Sequence, residues 1–531
     1  MPIVKINDIE VEVPPGTNMI EAARQAGVEI PHYCYHPHLS IAGNCRMCLV
    51  DVEAGGRGPD IACNMEARDG LHVRTDTDRV KQMRKAVMEF LLVNHPLDCP
   101  ICDQSGECRL QDYYMDYGQY ESRLADAKQG KGKRQDIGEH IVLDAERCVQ
   151  CSRCVRFSDE VTGTGELRLF NRTNQTQIGI FPGVRLQHNY QGNLADICPV
   201  GALTNKDFRF KKRVWWLKET SSVCSGCATG CNTLVCHQDD EVFRYIPRRN
   251  DEVNKSWLCD HGRMSYKALT SMKRLIVFKS AGRKVEPLEA YNAAAMALKG
   301  AKVGVVLGAQ ASNEANWAAV QLVRKHLSGA RLFVVDGNPA GAWDFSDDLL
   351  VDADKAPNRR GAQLIGEQLG AVGDTAALKV AIEAGEVDAL LVLQDDILGR
   401  LGGAAPETLV YVGTWSNDTA KAASVVLAAA AFPEQSCTLT NRDGRVQRLR
   451  RAIRAAGDSV PAYQALNGVA QAFGDRVVAD LPTAIFNEMA RSIKAMKGMS
   501  YKTLRRSGQL LDLPEPAPPP PADAAQAAPA K

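Results

Sequence analysis

The chain has 531 residues, with 64 lysine and arginine residues against 63 aspartate and glutamate residues, and a formal net charge of +1 at pH 7. This length predicts about three or four domains. The charge balance gives no reason to expect a nucleic acid or an anionic membrane as a partner, and the apolar run near 422–432 is roughly half as long as a membrane helix.

The cysteine distribution is lopsided. Of 17 cysteines, all but Cys437 lie between Cys34 and Cys259. The N-terminal stretch MPIVKINDIEVEV alternates like a strand and lacks the apolar core of a signal peptide, so we expect the chain to fold in the cytoplasm. Dense cysteine in a reducing compartment indicates metal binding rather than disulfides.

Residues 1–80 predict a small α+β domain. Strand patterns at 3–6 and 9–13 are followed by a helix that Thr17 can cap and that reaches Ala26. A further strand is predicted at 48–52. We call the cysteines of this region group one; they are Cys34, Cys45, Cys48 and Cys63. Their spacing resembles the plant-type [2Fe–2S] pattern, but the first gap is ten residues rather than four, so the spacing alone leaves the cluster type open.

A helix is predicted at 79–93 from apolar residues on one face, and Asn94, His95 and Pro96 end it. Three cysteines follow at once, and together with His95 they form group two: His95, Cys99, Cys102 and Cys108. A lone histidine at a helix end is usually a packing residue. His95 is different because the three cysteines lack a fourth partner and neutral imidazole can bind iron. We interpret this set as one [4Fe–4S] site.

Two further groups combine three closely spaced cysteines with one remote cysteine. Group three is Cys148, Cys151, Cys154 and Cys198, and group four is Cys224, Cys227, Cys231 and Cys259. Structural zinc sites normally use two short cysteine pairs. A run of three cysteines wraps three corners of an iron–sulfur cube, and the sequence Cys198-Pro199 is typical of the fourth. Both groups therefore favour [4Fe–4S] clusters.

Other residues near these groups have simpler interpretations. His32, His36 and His38 flank Cys34 and are predicted to shield the site rather than to ligate it, because four cysteines suffice. Cys236 and Cys437 are predicted to be buried free thiols. For Arg147, Arg153 and Arg156 two interpretations stay open: stabilisation of a reduced cluster, or ordinary solvated charge.

After about residue 265, short apolar runs alternate with helical patterns. The runs lie at 303–307, 332–335, 389–393, 409–412 and 425–429, and this rhythm predicts an α/β region with a mostly parallel sheet. No GxGxxG follows a strand, and Gly304 and Gly308 are a weak match to any phosphate loop. The Pro/Ala-rich tail from Pro514 is predicted to be disordered.

These motifs resemble those of the 75 kDa iron–sulfur subunit family of NADH–quinone oxidoreductase, respiratory complex I, which is called the G subunit in bacteria. The matching stretches are GNCRMCLVDVE, NHPLDCPICDQSGECRLQD, ERCVQCSRCVRF and DICPVGAL. The resemblance implies one [2Fe–2S] cluster in group one and three [4Fe–4S] clusters in groups two to four. Group four and the segment EQSCTLTNRDGRVQ also resemble molybdopterin oxidoreductases, but too few residues follow Cys259 for a full set of pterin-binding domains, and no molybdenum cofactor is expected.

The resemblance implies an α+β multi-domain fold: a ferredoxin-like [2Fe–2S] domain at 1–78, iron–sulfur domains at 79–118, 119–219 and 220–276, a shortened α/β domain at 277–510, and a disordered tail at 511–531. The expected role is electron transfer within complex I. NADH and FMN would bind a partner subunit, so the chain would not be catalytic alone.

The resemblance also names partners: the NADH/FMN-binding subunit, its [2Fe–2S] companion, the two-cluster ferredoxin-like subunit and the quinone-module subunit. The complex would sit on the cytoplasmic face of the cell membrane, which the chain would reach only through those partners. Three alternatives remain open: a subunit of a soluble NAD-linked hydrogenase, a molybdenum enzyme, and a zinc-stapled assembly scaffold. Elemental analysis separates the scaffold from the others.

Overall fold

A computed structural model describes residues 1–339, 341–402 and 405–512. The predicted disordered tail lies outside these ranges from residue 513 onward. Leu511 is buried, and its N–H donates to the Gly444 carbonyl over 2.9 Å. Within the described ranges no helix combines the length and the apolar character that a membrane crossing needs.

The first region is a five-stranded sheet with one helix against it; the helix and three of the strands are those that the sequence predicts. The strand order is β2-β1-β5-β3-β4, with β1 (Ile3–Ile6), β2 (Ile9–Glu12), β3 (Leu49–Ala54), β4 (Asp60–Ile61), β5 (His72–Arg74) and α1 (Met19–Gln25). The predicted cap is wrong by one residue. Asn18 caps α1 by accepting from the Ile20 N–H over 2.9 Å, while the Thr17 hydroxyl donates to the Pro14 carbonyl over 2.6 Å.

The predicted helix at 79–93 is α2 (Asp78–Leu92), and α3 (Arg109–Tyr117) packs beside it. Val80 and Met88 are fully buried, which confirms the predicted apolar face. Arg84 on the same helix is also buried and donates to the carbonyls of Thr75 and Leu49. This arginine therefore fixes α2 against the first sheet.

The middle of the chain consists of short elements that carry groups three and four. They are β6 (Gln135–Asp136), β7 (Ile141–Leu143), α4 (Arg153–Glu160), β8 (Arg168–Phe170), β9 (Gln177–Gly179), α5 (Gly192–Ile197), β10 (Leu203–Asn205), β11 (Lys218–Val223), β12 (Asn232–Gln238), β13 (Glu241–Pro247) and α6 (Asp260–Met264). The strands form two antiparallel three-stranded sheets, β10-β7-β6 and β11-β12-β13, and the hairpin β8-β9.

The C-terminal region contains a seven-stranded sheet in the order β15-β14-β20-β19-β18-β16-β17. Its elements are β14 (Lys279–Ser280), β15 (Arg283–Lys284), α7 (Pro287–Leu298), β16 (Val303–Val306), α8 (Asn313–His326), β17 (Arg331–Phe333), α9 (Arg359–Gly366), α10 (Thr375–Glu383), β18 (Ala389–Leu393), α11 (Leu398–Leu401), β19 (Thr408–Gly413), α12 (Asp418–Ala422) and β20 (Val425–Ala428). Strands β16 to β20 are parallel, at the predicted apolar runs. Apolar cores cover both faces, which explains why these strands are continuously apolar.

The chain ends on a small antiparallel sheet packed against α8. It comprises β21 (Cys437–Thr440), β22 (Arg445–Leu449) and β23 (Gln509–Leu510), with α13 (Ala462–Ala472) and α14 (Pro482–Ser492) between β22 and β23. Glu314 of α8 is fully buried. It accepts from the Thr438 N–H over 2.8 Å and from the Tyr501 hydroxyl over 2.9 Å. A buried carboxyl group thus holds the helix, the hairpin and the C-terminal segment together.

Candidate metal centres

The four thiols of group one meet in the first region. Cys34, Cys48 and Cys63 are buried, and Cys45 is half-buried. The Cys34 thiol hydrogen-bonds the thiols of Cys45 and Cys63, and Cys48 bonds Cys63. The hydrogen bonds from Cys45 and Cys63 hold the pKa of Cys34 far below its usual range. The set therefore favours a thiolate at its centre, which is the form that binds iron.

Group two begins just past the end of α2. The Lys128 ammonium fixes this turn by donating to the carbonyls of Leu92, Val93 and His95 over 2.8, 3.1 and 2.8 Å. Burial lowers the pKa of His95 to about 4. Its imidazole is therefore neutral at physiological pH, which is the ligating form.

The three cysteines of group two are neighbours along a tight loop. The Cys102 N–H donates to the Cys99 carbonyl over 3.1 Å, and Cys108 precedes α3. Burial is the main cause that raises the pKa of Cys108 to about 11, and the nearby thiols of Cys102 and Cys99 contribute to this shift. The structure thus brings the three thiols together and places a buried, neutral histidine on the adjoining turn.

Group three surrounds a small cavity of about 20 Å³, which all four cysteines line. The residues between the closely spaced cysteines, Gln150 and Ser152, have left-handed backbone conformations (φ 53° and 58°). Such turns let consecutive cysteines face the same side. Burial raises the pKa of Cys148 to about 12 and of Cys198 to about 11. Apolar walls and four thiols around one cavity fit an iron–sulfur cluster, whose iron would replace the bound protons.

Group four lies between β11, β12 and the start of α6. Its four cysteines are 4–8% exposed. The Cys224 N–H donates to the Cys231 carbonyl over 2.7 Å, and the N–H groups of Gly226 and Gly262 point at the sulfurs of Cys224 and Cys259 over 3.4 and 3.3 Å. A Cβ added to Gly262 would lie 2.9 Å from the Cys224 sulfur and 3.2 Å from the Cys259 sulfur. This glycine therefore leaves room between two predicted ligands.

Within the described ranges, no three His, Cys, Asp or Glu side chains are grouped tightly enough to hold one metal ion. A structural zinc ion needs all its donors about 2.0–2.3 Å from a single centre. The ligands of a cluster bind different iron atoms and stand further apart.

Groups one, two and three share one apolar core. This core contains Cys34, Cys45, Cys108, Cys148, Cys151 and Cys198. The Arg156 guanidinium donates to the Cys34 carbonyl over 2.6 Å and to the Cys151 carbonyl over 3.3 Å. A Cβ added to Gly201, three residues after Cys198, would lie 2.4 Å from the Cys102 sulfur. Spacing did not predict these contacts, and Gly201 and Gly262 have no sequence signal beyond their position three residues after a cysteine.

Group four belongs to a second core that also contains Cys154 of group three. The rings of Phe157 and Trp257 meet edge to face at 5.0 Å in this core. Group three therefore lies in both cores, between group four and the other two groups.

The flanking histidines have partners of their own. The His36 ring stacks on Trp257 at 5.0 Å, and His38 hydrogen-bonds Ser256 and Asp251, each over 2.9 Å. His32 contacts the Ile30 carbonyl over 2.7 Å. These contacts suit a packing role that shields group one.

The three arginines near group three are not ordinary solvated charges. Arg147 is 4% exposed, Arg153 donates to the Ile197 carbonyl over 3.1 Å, and Arg156 joins groups one and three. Outside the groups, Cys236 lies in β12 and Cys437 in β21, and both thiols are fully buried. Burial raises the pKa of Cys236 to about 11.

Five family models match the chain in succession. They describe a 2Fe-2S iron–sulfur cluster binding domain (3–78), an NADH-ubiquinone oxidoreductase-G iron–sulfur binding region (84–123), a ferredoxin-like domain of NADH-quinone oxidoreductase subunit 3 (138–204), an NDSU1/NuoG-like 4Fe-4S domain of NADH-ubiquinone oxidoreductase (217–267), and molybdopterin oxidoreductase (287–472). These models thus describe 2Fe-2S and 4Fe-4S binding domains followed by a molybdopterin-oxidoreductase-like C-terminal region.

Curated relatives of this chain share the name of one particular iron–sulfur subunit or of its mitochondrial counterpart. The G subunit of NADH-quinone oxidoreductase from Rickettsia felis is 40% identical over 61% of this chain and 49% of its own length. The Rickettsia conorii protein of the same name is 44% identical over 50% of this chain and 39% of its own length. The mitochondrial NADH dehydrogenase [ubiquinone] iron–sulfur protein 1 of Solanum tuberosum is 44% identical over 50% of this chain and 36% of its own length. The chain is therefore similar to the G subunit of NADH-quinone oxidoreductase, as its motifs predict.

The chain spans about half or less of the length of these curated relatives. A solved structure, an NAD+-reducing [NiFe]-hydrogenase in the H2-reduced state, is 28% identical over 40% of this chain and 91% of its own, with a TM-score of 0.36. A score this low carries no argument about function.

Proposed function

We propose that this chain is the iron–sulfur electron-transfer subunit of an NADH:quinone oxidoreductase of the complex I type. It would pass electrons from an NADH- and FMN-binding partner toward quinone. The observation that carries the proposal is the apolar core shared by groups one, two and three. Predicted ligands of three centres share one continuous apolar core, through which electrons would pass between the centres without crossing solvent.

The proposed ligands are the four groups as predicted from spacing. Group one would hold one [2Fe–2S] cluster, and groups two, three and four would each hold one [4Fe–4S] cluster. Bound clusters would supply one-electron transfer. No molybdenum cofactor is assigned to the C-terminal region, for which we propose a scaffold role.

The chain itself would set the environment of each centre. Apolar walls around group three exclude water, and backbone N–H groups of Gln150, Gly226 and Gly262 donate to cysteine sulfurs. Donors to sulfur and low solvent exposure are the means by which a protein tunes cluster potential. His95 would contribute a neutral ligand where the other sites have thiolates, which removes one negative charge.

We assign the enzymatic activity to the assembly rather than to the chain alone. The proposed partners are the NADH/FMN-binding subunit, its [2Fe–2S] companion, the two-cluster ferredoxin-like subunit and the quinone-module subunit. The proposed location is the cytoplasmic face of the cell membrane, reached through those partners.

Metal analysis of the anaerobically purified or reconstituted chain tests the proposal. One [2Fe–2S] and three [4Fe–4S] clusters predict about fourteen iron atoms and as many acid-labile sulfides per chain. Saturation well below about ten iron atoms would mean that at least one group is misassigned. Zinc without iron or sulfide would instead establish the scaffold alternative.

A further inference from the structure

Arg147 occupies an unusual place between two of the predicted centres. It directly precedes Cys148 of group three, yet its guanidinium turns toward the loop of group two. Its Nε donates to Asp98 Oδ1 over 3.0 Å, and its Nη2 donates to Asp98 Oδ2 over 2.6 Å. Asp98 lies between His95 and Cys99 in the sequence. This fork clamps the loop of group two to the motif of group three.

The third guanidinium nitrogen of Arg147, Nη1, has no partner of this kind in the part of the chain that the structure describes. Arg147 is 4% exposed, and its Nη1 is buried with no hydrogen-bond partner among the described residues. Buried donors in proteins are almost always satisfied, so an unpaired one calls for an explanation such as an ion or ligand.

The sulfur of Cys102 lies close to the Arg147 side chain. A Cβ added to Gly201 would lie 2.4 Å from the Cys102 sulfur and 3.5 Å from the Arg147 Cδ, so both groups pack on the same glycine. An arginine guanidinium stays protonated at physiological pH. The guanidinium therefore remains charged next to a predicted ligand of group two.

We propose that Arg147 is a positioning residue for the centre held by group two, to which its free Nη1–H donates at a sulfur atom. The inference rests on the proposed function, because it requires a cluster at group two. A cationic donor stabilises the reduced, more negative cluster and so raises its reduction potential. A residue from the motif of group three would thus set the potential of the neighbouring centre.

Two conservative variants of the full chain separate this role from simple structural support. Arg147→Lys keeps the charge but removes the planar fork and Nη1. Arg213→Lys is the matched control, because Arg213 donates to the Cys102 and Pro100 carbonyls, each over 2.6 Å, rather than to a sulfur. The midpoint potentials of the clusters in both variants are measured by redox titration followed by electron paramagnetic resonance. The signal of group two is identified as the one that His95→Cys shifts.

We expect Arg147→Lys to retain its iron and to shift the midpoint of group two to a more negative potential, with a smaller change at group three. Arg213→Lys should leave both midpoints unchanged. Full iron content with an unchanged midpoint in Arg147→Lys would overturn the inference and leave the proposed function intact. A wild-type chain without iron and sulfide would overturn the proposed function itself.

A measurement that needs no Arg147 variant covers the case in which Arg147→Lys does not fold. Protein labelled with ¹⁵N in the arginine guanidinium should show a ¹⁵N hyperfine coupling on the reduced signal of group two by electron–nuclear double resonance. The coupling should persist in Arg213→Lys. Its absence from the wild type, or its loss in Arg213→Lys, would refute a contact between Arg147 and the centre.

Discussion

Several of the predicted cluster ligands are buried or half-buried side chains, and burial disfavours their charged forms. Burial raises the pKa of Cys148 and Cys259 to about 12 and lowers that of His95 to about 4. Without iron these thiols stay protonated and the imidazole stays neutral. Binding of iron must then release protons from the cysteines but none from His95. We therefore expect cluster uptake to become more favourable as the pH rises.

His95 gives the sharpest prediction at this scale. His95→Cys should keep a cluster at group two, because a thiolate can replace imidazole on iron, and the added negative charge should make its potential more negative. His95→Ala should lose that cluster, and with it about four iron atoms, because alanine offers no donor. Iron analysis and redox titration with electron paramagnetic resonance measure both effects.

A packing role for His95 would give a different result. Its replacement by alanine would then cost only about 1–2 kcal/mol of stability and would not change the electron paramagnetic resonance spectrum of group two. If the signal and the midpoint are unchanged in both variants, His95 is not a ligand, and the fourth one must be sought elsewhere.

Gly262 supports a second prediction. Gly262→Ala would place a methyl group 2.9 Å from the Cys224 sulfur, so we expect the cluster of group four to be lost or labile while groups one to three keep theirs. Gly226→Ala is the matched control, since its Cβ would meet the Cys224 sulfur at an ordinary 3.5 Å. Equal iron content in the two variants would show that the space beside Gly262 is not required.

Among the secondary-structure elements, those with strong periodicity could be predicted from sequence. Helix α2 and strands β16 to β20 occur where their apolar patterns place them, because each buries a face or a whole strand. The two-residue strands β14 and β15 are too short to show a period. The cysteine groups could be predicted from their spacing. Contacts such as that of Arg156 with Cys34, 122 positions apart, depend on tertiary packing and could not be predicted from a local sequence pattern.

The attachment of α8 to the hairpin β21–β22 predicts a pH dependence. Burial raises the pKa of Glu314 to about 7, above its unfolded value near 4.5. The neutral acid is therefore favoured in the folded state, and the stability it contributes falls as the pH rises from about 4.5 through 7. Between pH 6 and 8.5 the wild type should lose about 1–2 kcal/mol of unfolding free energy through this group.

Glu314→Gln should abolish that component of the pH dependence. Urea unfolding followed by circular dichroism at the two pH values measures the difference between the variant and the wild type. Glu289→Gln, which alters an exposed carboxyl group, is the control. The same pH dependence in Glu314→Gln and the wild type would show that another group is responsible.

For the molecule as a whole, we expect electron conduction without substrate oxidation. In the loop after β16, the Gly308 N–H already donates to Asn316 Oδ1 over 2.9 Å, so it is not free to bind a dinucleotide phosphate. The purified chain should not reduce ferricyanide with NADH. A rate comparable to that of an intact assembly would contradict this expectation, and dithionite-reduced chain is the positive control for electron delivery.

The apolar core shared by groups one, two and three also constrains how the protein matures. Group three lies in both cores, so its thiols become inaccessible once the regions on either side have docked. Its centre would then be installed before or during that docking, and the same holds for group one, because Cys34 and Cys45 lie in the shared core while Cys48 and Cys63 lie in the core of the first sheet. We therefore expect cluster insertion to precede docking during biogenesis. If no cluster is inserted at group three, the regions on either side of it should fail to dock.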